Sequence, residues 1–119
     1  MIGGFSQGGA LAYNIALSHY EKVAGIVVMS SFLPIPNDPS KSILAKFSKG
    51  QGLPGPISQH HGDSDPMVDI NMALKGAEFL NELAKDGEFE FLTYSGLQHS
   101  SCPEEMNNVE KFIQKALKL

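Results

Sequence analysis

Gly4-Phe5-Ser6-Gln7-Gly8-Gly9, near the start of the chain, decides how the rest is read. It fits G-x-S-x-G, the pattern of a nucleophile elbow. In such an elbow a tight strand-to-helix turn lifts a serine hydroxyl above a β-sheet. The turn is crowded, so side chains at Gly4 and Gly8 are expected to clash with neighbouring backbone. Glycine and serine are common here, and chance alone gives the bare pattern in roughly one such sequence in ten. The motif therefore has to be weighed with its surroundings. An elbow normally follows the central strand of a larger sheet. Only Met1 to Phe5 stand ahead of Ser6, so the N-terminal strands of a full sheet are expected to be absent.

Outward from the elbow the elements alternate. Met1 to Phe5 reads as a strand. Gln7 to about Tyr20 reads as a helix, with Leu11, Ala12, Ile15 and Ala16 at helical spacing. Val23 to Met29 is nearly continuous apolar, as in a parallel strand buried on both faces. Leu33 to Pro56 is rich in Pro, Ser, Lys and Gly and long for a connection. A short helix is expected over Ser42 to Ser48, and the segment reads equally as a site rim or a surface insertion. Pro56 to His61 is the next strand. Ile70, Ala73, Leu74, Ala77, Leu80 and Ala84 mark an amphipathic helix that Gly87 would cap. Phe89 to Tyr94 is the last strand. Ser101-Cys102-Pro103-Glu104 resembles a capping box for a final helix, with Met106, Val109, Ile113 and Ala116 on its buried face. This βαβ(loop)βαβα order predicts an α/β fold, a parallel sheet with flanking helices, in one domain over residues 1–119.

The formal net charge of -4 argues against a nucleic-acid partner, which would select a basic surface. Cys102 is the only cysteine, so no intramolecular disulfide can form. No apolar run approaches the ~20 residues that span a bilayer, and no signal peptide is visible. The expectation is a cytoplasmic protein without stable membrane insertion.

A serine hydroxyl becomes a good nucleophile when a base, usually a histidine oriented by a carboxylate, takes its proton. On this fold the chain order is Ser, Asp or Glu, then His. Ser6, the Asp63 to Asp69 cluster and His99 follow that order. Each also follows an expected strand, and sites on open α/β sheets lie beyond the carboxyl ends of strands. Both Asp63 and Asp65 stand as the acid. Asp63 also suits a turn after Gly62, and Asp69 suits the first turn of the next helix. The Gln7 backbone N–H is placed to donate to an oxyanion. His60, His61, Asp63 and Asp65 raise the idea of a metal site, but adjacent strand residues point to opposite faces. His19 has the default surface role of a charge at a helix end. Cys102 invites a Cys–His reading that would leave the Ser6 elbow unexplained, and it reads as structural. Ser100 and Ser101 read as caps of the last helix.

The stretches GGFSQGGALAYNIAL, SSFLPI, HGDSDPMV and YSGLQHSSCPEEM resemble the acyl-protein thioesterase family. This is the small carboxylesterase and lysophospholipase-like branch of the α/β-hydrolases, and the likeness runs from residue 2 to about 115. It implies the C-terminal portion of an α/β-hydrolase, with Ser6 as nucleophile, Asp65 as acid and His99 as base. It implies acylated proteins or lysophospholipids as substrates, cleaved at long-chain thioesters or esters, with no metal or organic cofactor. Phe32, Leu33 and Met67 would line the acyl channel, or else pack as ordinary core. The second oxyanion donor of such enzymes comes from an earlier loop, and losing one donor costs ~10²–10³ in turnover. Two functions therefore stand: a serine acyl hydrolase, or a catalytically weak truncated product that binds acyl ligands or partners without turnover. The edge of the first strand would permit a homodimer.

Overall fold

The computed structural model describes residues 1–119, the side chain of Pro39 apart. Its elements are β1 (Ile2–Phe5), α1 (Gln7–His19), β2 (Ile26–Met29), a 3-10 turn at Pro39–Lys41, β3 (Ile57–Gly62), α2 (Ile70–Leu83), β4 (Phe89–Tyr94) and α3 (Pro103–Leu117). The sheet order is β1-β2-β3-β4, and every pair is parallel. Ile2 pairs with Ile26, Ile26 with Ile57, and Ile57 with Phe89. The four strands thus begin level, and their carboxyl ends share one edge of the sheet. This is the α/β arrangement that the alternation predicts.

Ile26, Val27 and Val28 are buried, as a strand covered on both sides requires. Their neighbour β3 is buried at all six positions although it reads ISQHHG. Its polar side chains are answered mostly by partners distant in sequence, His61 Nδ1 apart. Gln59 takes the Tyr13 hydroxyl and donates to the Ser31 carbonyl, and His60 lies between Ser58 and Tyr94. The main core joins Tyr13, Ala16 and Leu17 of α1, Ile26, Val28 and Ile57 of the sheet, and Leu80 and Leu83 of α2. Each fully buried Leu or Ile there contributes about 1.5–3 kcal/mol. The buried stripe of α1 is Gly9, Ala12, Tyr13, Ala16 and Leu17. Leu11 falls outside it and is exposed.

Several expected local features differ. Residues 42 to 48 form turns instead of a helix, with the Ser42 hydroxyl taking the Leu44 N–H at 3.0 Å. Helix α2 ends at Leu83 on an extended Ala84. Gly87 does not cap it, and takes φ 75° in the turn into β4. Helix α3 starts on Pro103, with Cys102 at the N-cap and no side-chain cap bond. The capping box at Ser101 is therefore not made; proline at the first turn and the charge of Glu104 favour the start instead. The residues buried on α3 are Glu105 and Val109. Met106 is exposed, and Ile113 and Ala116 are half-buried. Among the described residues, no helix is long and apolar enough to cross a membrane.

Candidate active site

β1 passes into α1 through Ser6, whose φ of 57° and ψ of -119° are strained for an L-residue. Such a conformation costs ~1–3 kcal/mol and persists only where its surroundings enforce it. Here the Ser6 N–H donates to the Met29 carbonyl at 2.9 Å, extending the β1–β2 ladder. The Ser6 carbonyl accepts the Gly9 N–H at 3.0 Å and opens the helix. A Cβ on Gly4 would lie 2.2 Å from the Gly8 carbonyl, so a side chain there is excluded. At Gly8 itself a Cβ would meet nothing within 4 Å, so the expected clash is not there. It falls instead on Gly9, where a Cβ would come within 2.7 Å of Ser31.

The loop after β3 delivers Asp65. One of its oxygens, Oδ1, accepts the Met67 and Val68 N–H groups at 2.8 and 2.9 Å. The other, Oδ2, faces His99 Nδ1 at 2.8 Å. The Asp65 side chain is fully buried. Burial alone would raise its pKa. The hydrogen bonds from Val68, His99 and Met67 and the charge of His99 outweigh burial, and the carboxyl is held below its ordinary range.

Asp63 has different work. Its Oδ1 accepts the Gly96 N–H at 2.7 Å and the Ser64 hydroxyl at 3.0 Å. With Ser64 N–H on the Leu97 carbonyl at 3.0 Å, it stitches the loop after β3 to the loop after β4. A Cβ on Gly62 would sit 2.0 Å from that same carbonyl, so the stitch requires glycine there. Asp69 caps α2 by accepting the Asn71 N–H at 2.8 Å.

The loop after β4 carries His99, with Nε2 2.9 Å from Ser6 Oγ. A carboxylate only accepts, so Nδ1 carries the proton toward Asp65 and Nε2 is free to accept from the serine hydroxyl. Ser6, Asp65 and His99 are thus brought into one hydrogen-bonded line. Phe5, the residue before the serine, sets its ring 5.1 Å from the imidazole. Sequence reasoning passed over Phe5 and Gly62; the signal was their place inside G-x-S-x-G and H-G-D. Gln7 is the first residue of α1, where an N–H has no intrahelical acceptor.

The apolar candidates separate. Met67 is 73% exposed beside Asp65, and Phe32 is half-buried. Leu33 is 2% exposed and belongs to the main core, where its backbone and Cβ press on Gly76. His60 and His61 diverge to Tyr94 and to the Val68 carbonyl, and among the described residues no group of three or more His, Cys, Asp or Glu could hold a metal ion. Cys102 is a half-buried free thiol at the start of α3. A cavity of about 460 Å³ lies under α3, lined by Ile57, Glu90, Leu92, Asn108 and Phe112 among others. Ile57 and Glu90 stand at the amino ends of β3 and β4, the far end of the strands from Ser6.

A family described as Phospholipase/Carboxylesterase matches residues 1–117. The acyl-protein thioesterase 1 of Saccharomyces cerevisiae is 38% identical over 117 residues, covering 98% of this chain and 49% of the relative. That of Mycosarcoma maydis is 35% identical over 119 residues, covering 98% and 48%. Among solved structures, Arabidopsis thaliana SOBER1 superposes with a TM-score of 0.78 at 31% identity, covering 98% of this chain and 52% of that one. Zea mays acyl-protein thioesterase 2 superposes with a TM-score of 0.74 at 23% identity, a likeness of fold. The chain spans about half the length of the curated relatives it matches. With its parallel sheet, its elbow and a match over nearly its whole length, the chain belongs to the phospholipase/carboxylesterase family and carries part of an α/β-hydrolase fold.

Proposed function

We propose that this chain carries the acyl-transfer groups of a serine hydrolase that cleaves long-chain acyl thioesters or esters. The observation that carries the reading is the unbroken line from Ser6 Oγ to His99 Nε2 at 2.9 Å and from His99 Nδ1 to Asp65 Oδ2 at 2.8 Å. In this reading Ser6 Oγ attacks the acyl carbonyl carbon while its proton passes to His99 Nε2. Asp65 holds the imidazole in the right tautomer and stabilises the imidazolium. The Gln7 N–H donates to the tetrahedral oxyanion. Collapse breaks the C–S or C–O bond, and the leaving thiol or alcohol takes the proton from His99. Water then attacks the acyl-Ser6 ester with His99 as base, releasing the fatty acid and restoring the serine. Every group in this sequence belongs to the chain, and no metal or organic cofactor is called for. The names of the relatives support acylated proteins as substrates, and the family description, Phospholipase/Carboxylesterase, supports lysophospholipids as the oxygen-ester counterpart.

A second reading is favoured by one observation, the half-length match to the relatives. In it the line is present but turnover is weak, because a second oxyanion donor is supplied from outside residues 1–119. A fluorophosphonate probe tests the first reading. Residues 1–119 are expected to be labelled and the Ser6→Ala variant is not, with thioester hydrolysis following the same split. A folded wild type that fails to label removes the hydrolase reading from this chain. Labelling without turnover selects the second reading.

A further inference from the structure

We propose that His61 is a positioning residue for this site, clamping the turn that holds Asp65 against His99. The inference rests on the reading of Asp65 as the group that orients His99. His61 lies in β3, opposite Thr93 of β4, with a side chain at 0% exposure. Its Nε2 stands 2.7 Å from the Val68 carbonyl. A carbonyl only accepts, so Nε2 carries the proton and donates. The amide of the same residue, Val68 N–H, donates to Asp65 Oδ1 at 2.9 Å. Val68 is therefore held from both sides, by His61 on its carbonyl and by Asp65 on its amide.

The ring closes on the carboxylate. His61 Nε2 is also 3.6 Å from Asp65 Oδ2, the oxygen that faces His99. That is too long for a hydrogen bond, but it sets the polar Nε2–H group beside Asp65 where both side chains are fully buried and screening is weak. His61 Nδ1 is buried and has no partner among the described residues.

The turn needs such an anchor. Asp63, Ser64, Pro66, Met67 and Asp69 are all exposed, whereas β3 is buried throughout. His61 ties the exposed turn to the most buried strand. A histidine that only filled space would be replaceable by an apolar side chain of similar size; a clamp is replaceable only by a donor that reaches the Val68 carbonyl.

The test uses the 119-residue chain with ¹⁵N-labelled histidine and follows the low-field Nδ1–H resonance of His99. Wild type is expected to show the resonance, and His61→Gln, whose Nε2 can donate to Val68, to keep it. His61→Leu is expected to lose it while the amide spectrum stays dispersed, with a fall of up to ~10²-fold in fluorophosphonate labelling rate. Should the leucine variant fail to fold, His61→Asn, polar but too short to reach, is expected to lose the resonance in a folded chain. A resonance unchanged in His61→Leu or His61→Asn overturns the proposal, as does a His61→Gln chain as disturbed as His61→Leu. The two readings fail separately. Wild type that shows the resonance but does not label removes the hydrolase reading and leaves the clamp. Wild type that labels, with a resonance indifferent to His61, does the reverse.

Discussion

Ser6 Oγ and His99 Nε2 lie 2.9 Å apart across 93 residues of chain, although β1 and β4 are the two outermost strands of the four-stranded sheet. Three strand spacings separate those strands, about 14 Å. The loop after β4 therefore runs back over the ends of β3 and β2 to bring the imidazole to the serine. Asp63 makes this possible by binding Gly96 N–H, and the Ser64–Leu97 backbone bond holds the same crossing. The reach of His99 is thus set by the loop after β3, which also carries Asp65.

Replacing Asp65 separates position from charge. In Asp65→Asn the Oδ1-like oxygen still accepts from Met67 and Val68, so the turn survives. The amide no longer holds His99 with its proton on Nδ1. Fluorophosphonate labelling is expected to fall by ~10³–10⁴-fold with the fold intact by circular dichroism. A pH signature accompanies it. The Asp65 carboxyl is held below its ordinary value, so it contributes stability above the unfolded value and loses it as pH falls through the folded one. Acid unfolding of Asp65→Asn should lack that component. A variant that labels at the wild-type rate would remove Asp65 from the mechanism.

The two flanking glycines of the elbow are expected to behave oppositely. Gly4→Ala drives a Cβ to 2.2 Å from the Gly8 carbonyl and should destabilise by about 1–3 kcal/mol or more, with loss of labelling. Gly8→Ala meets nothing within 4 Å inside α1. It should leave stability unchanged or raise it by at most about 0.8–1 kcal/mol, the helix-interior value, with labelling retained. Urea unfolding of both variants checks the pair. Equal destabilisation would mean that Gly8 is covered by something these residues do not include.

Spacing explains what was readable in advance. The segments just after strand ends carry Ser6, Asp65 and His99, and parallel strands that begin level put such segments on one edge. The helix ends were less legible because caps compete locally: Pro103 fixes the start of α3 whatever Ser101 offers, and Gly87 serves the turn into β4. Partners distant in sequence were illegible. Nothing in ISQHHG shows that Ser58 meets Glu90 or that His60 meets Tyr94, 32 and 34 residues away. Leu33, which the resemblance offers as a channel residue or as ordinary core, packs in the main core with Gly76 against its backbone. His61 hides for the same reason, since its acceptor is a backbone carbonyl that no side-chain pattern reports.

Glu105 is a buried carboxyl without compensation among the described residues. Its side chain is fully buried, and neither oxygen has a partner among the described residues. Burial raises its pKa above 4.5. A carboxyl with a raised folded value favours the folded state below the unfolded pKa, and that stability is lost as pH rises through the folded value. Glu105→Met, unbranched and similar in length, should therefore raise stability at pH 7 by about 1–3 kcal/mol. The gain should shrink toward pH 4. A variant less stable than wild type at neutral pH would show that the carboxylate is paired in solution.

His60 gives the opposite slope. Ser58 Oγ donates to Glu90 at 2.6 Å, so it must accept from His60 Nε2–H at 2.7 Å. His60 Nδ1 then accepts the Tyr94 hydroxyl at 2.8 Å, and Tyr94 accepts from Asn108 at 3.1 Å. Every donor in this chain points toward Glu90, and the neutral imidazole satisfies all of it. Burial lowers the His60 pKa from 6.5 to about 4, against a smaller opposing pull from the Glu90 charge. Between about 4 and 6.5 the unfolded chain binds the extra proton, so stability rises with pH across that window and its loss begins as pH falls below 6.5. Imidazole ¹⁵N shifts of His60 should stay those of the neutral ring at pH 5.5. His60→Asn should flatten the stability profile over that window while losing stability above it. A His60 ring already protonated at pH 5.5 would mean that the line of donors does not hold the neutral form, and the slope would then have to come from another group.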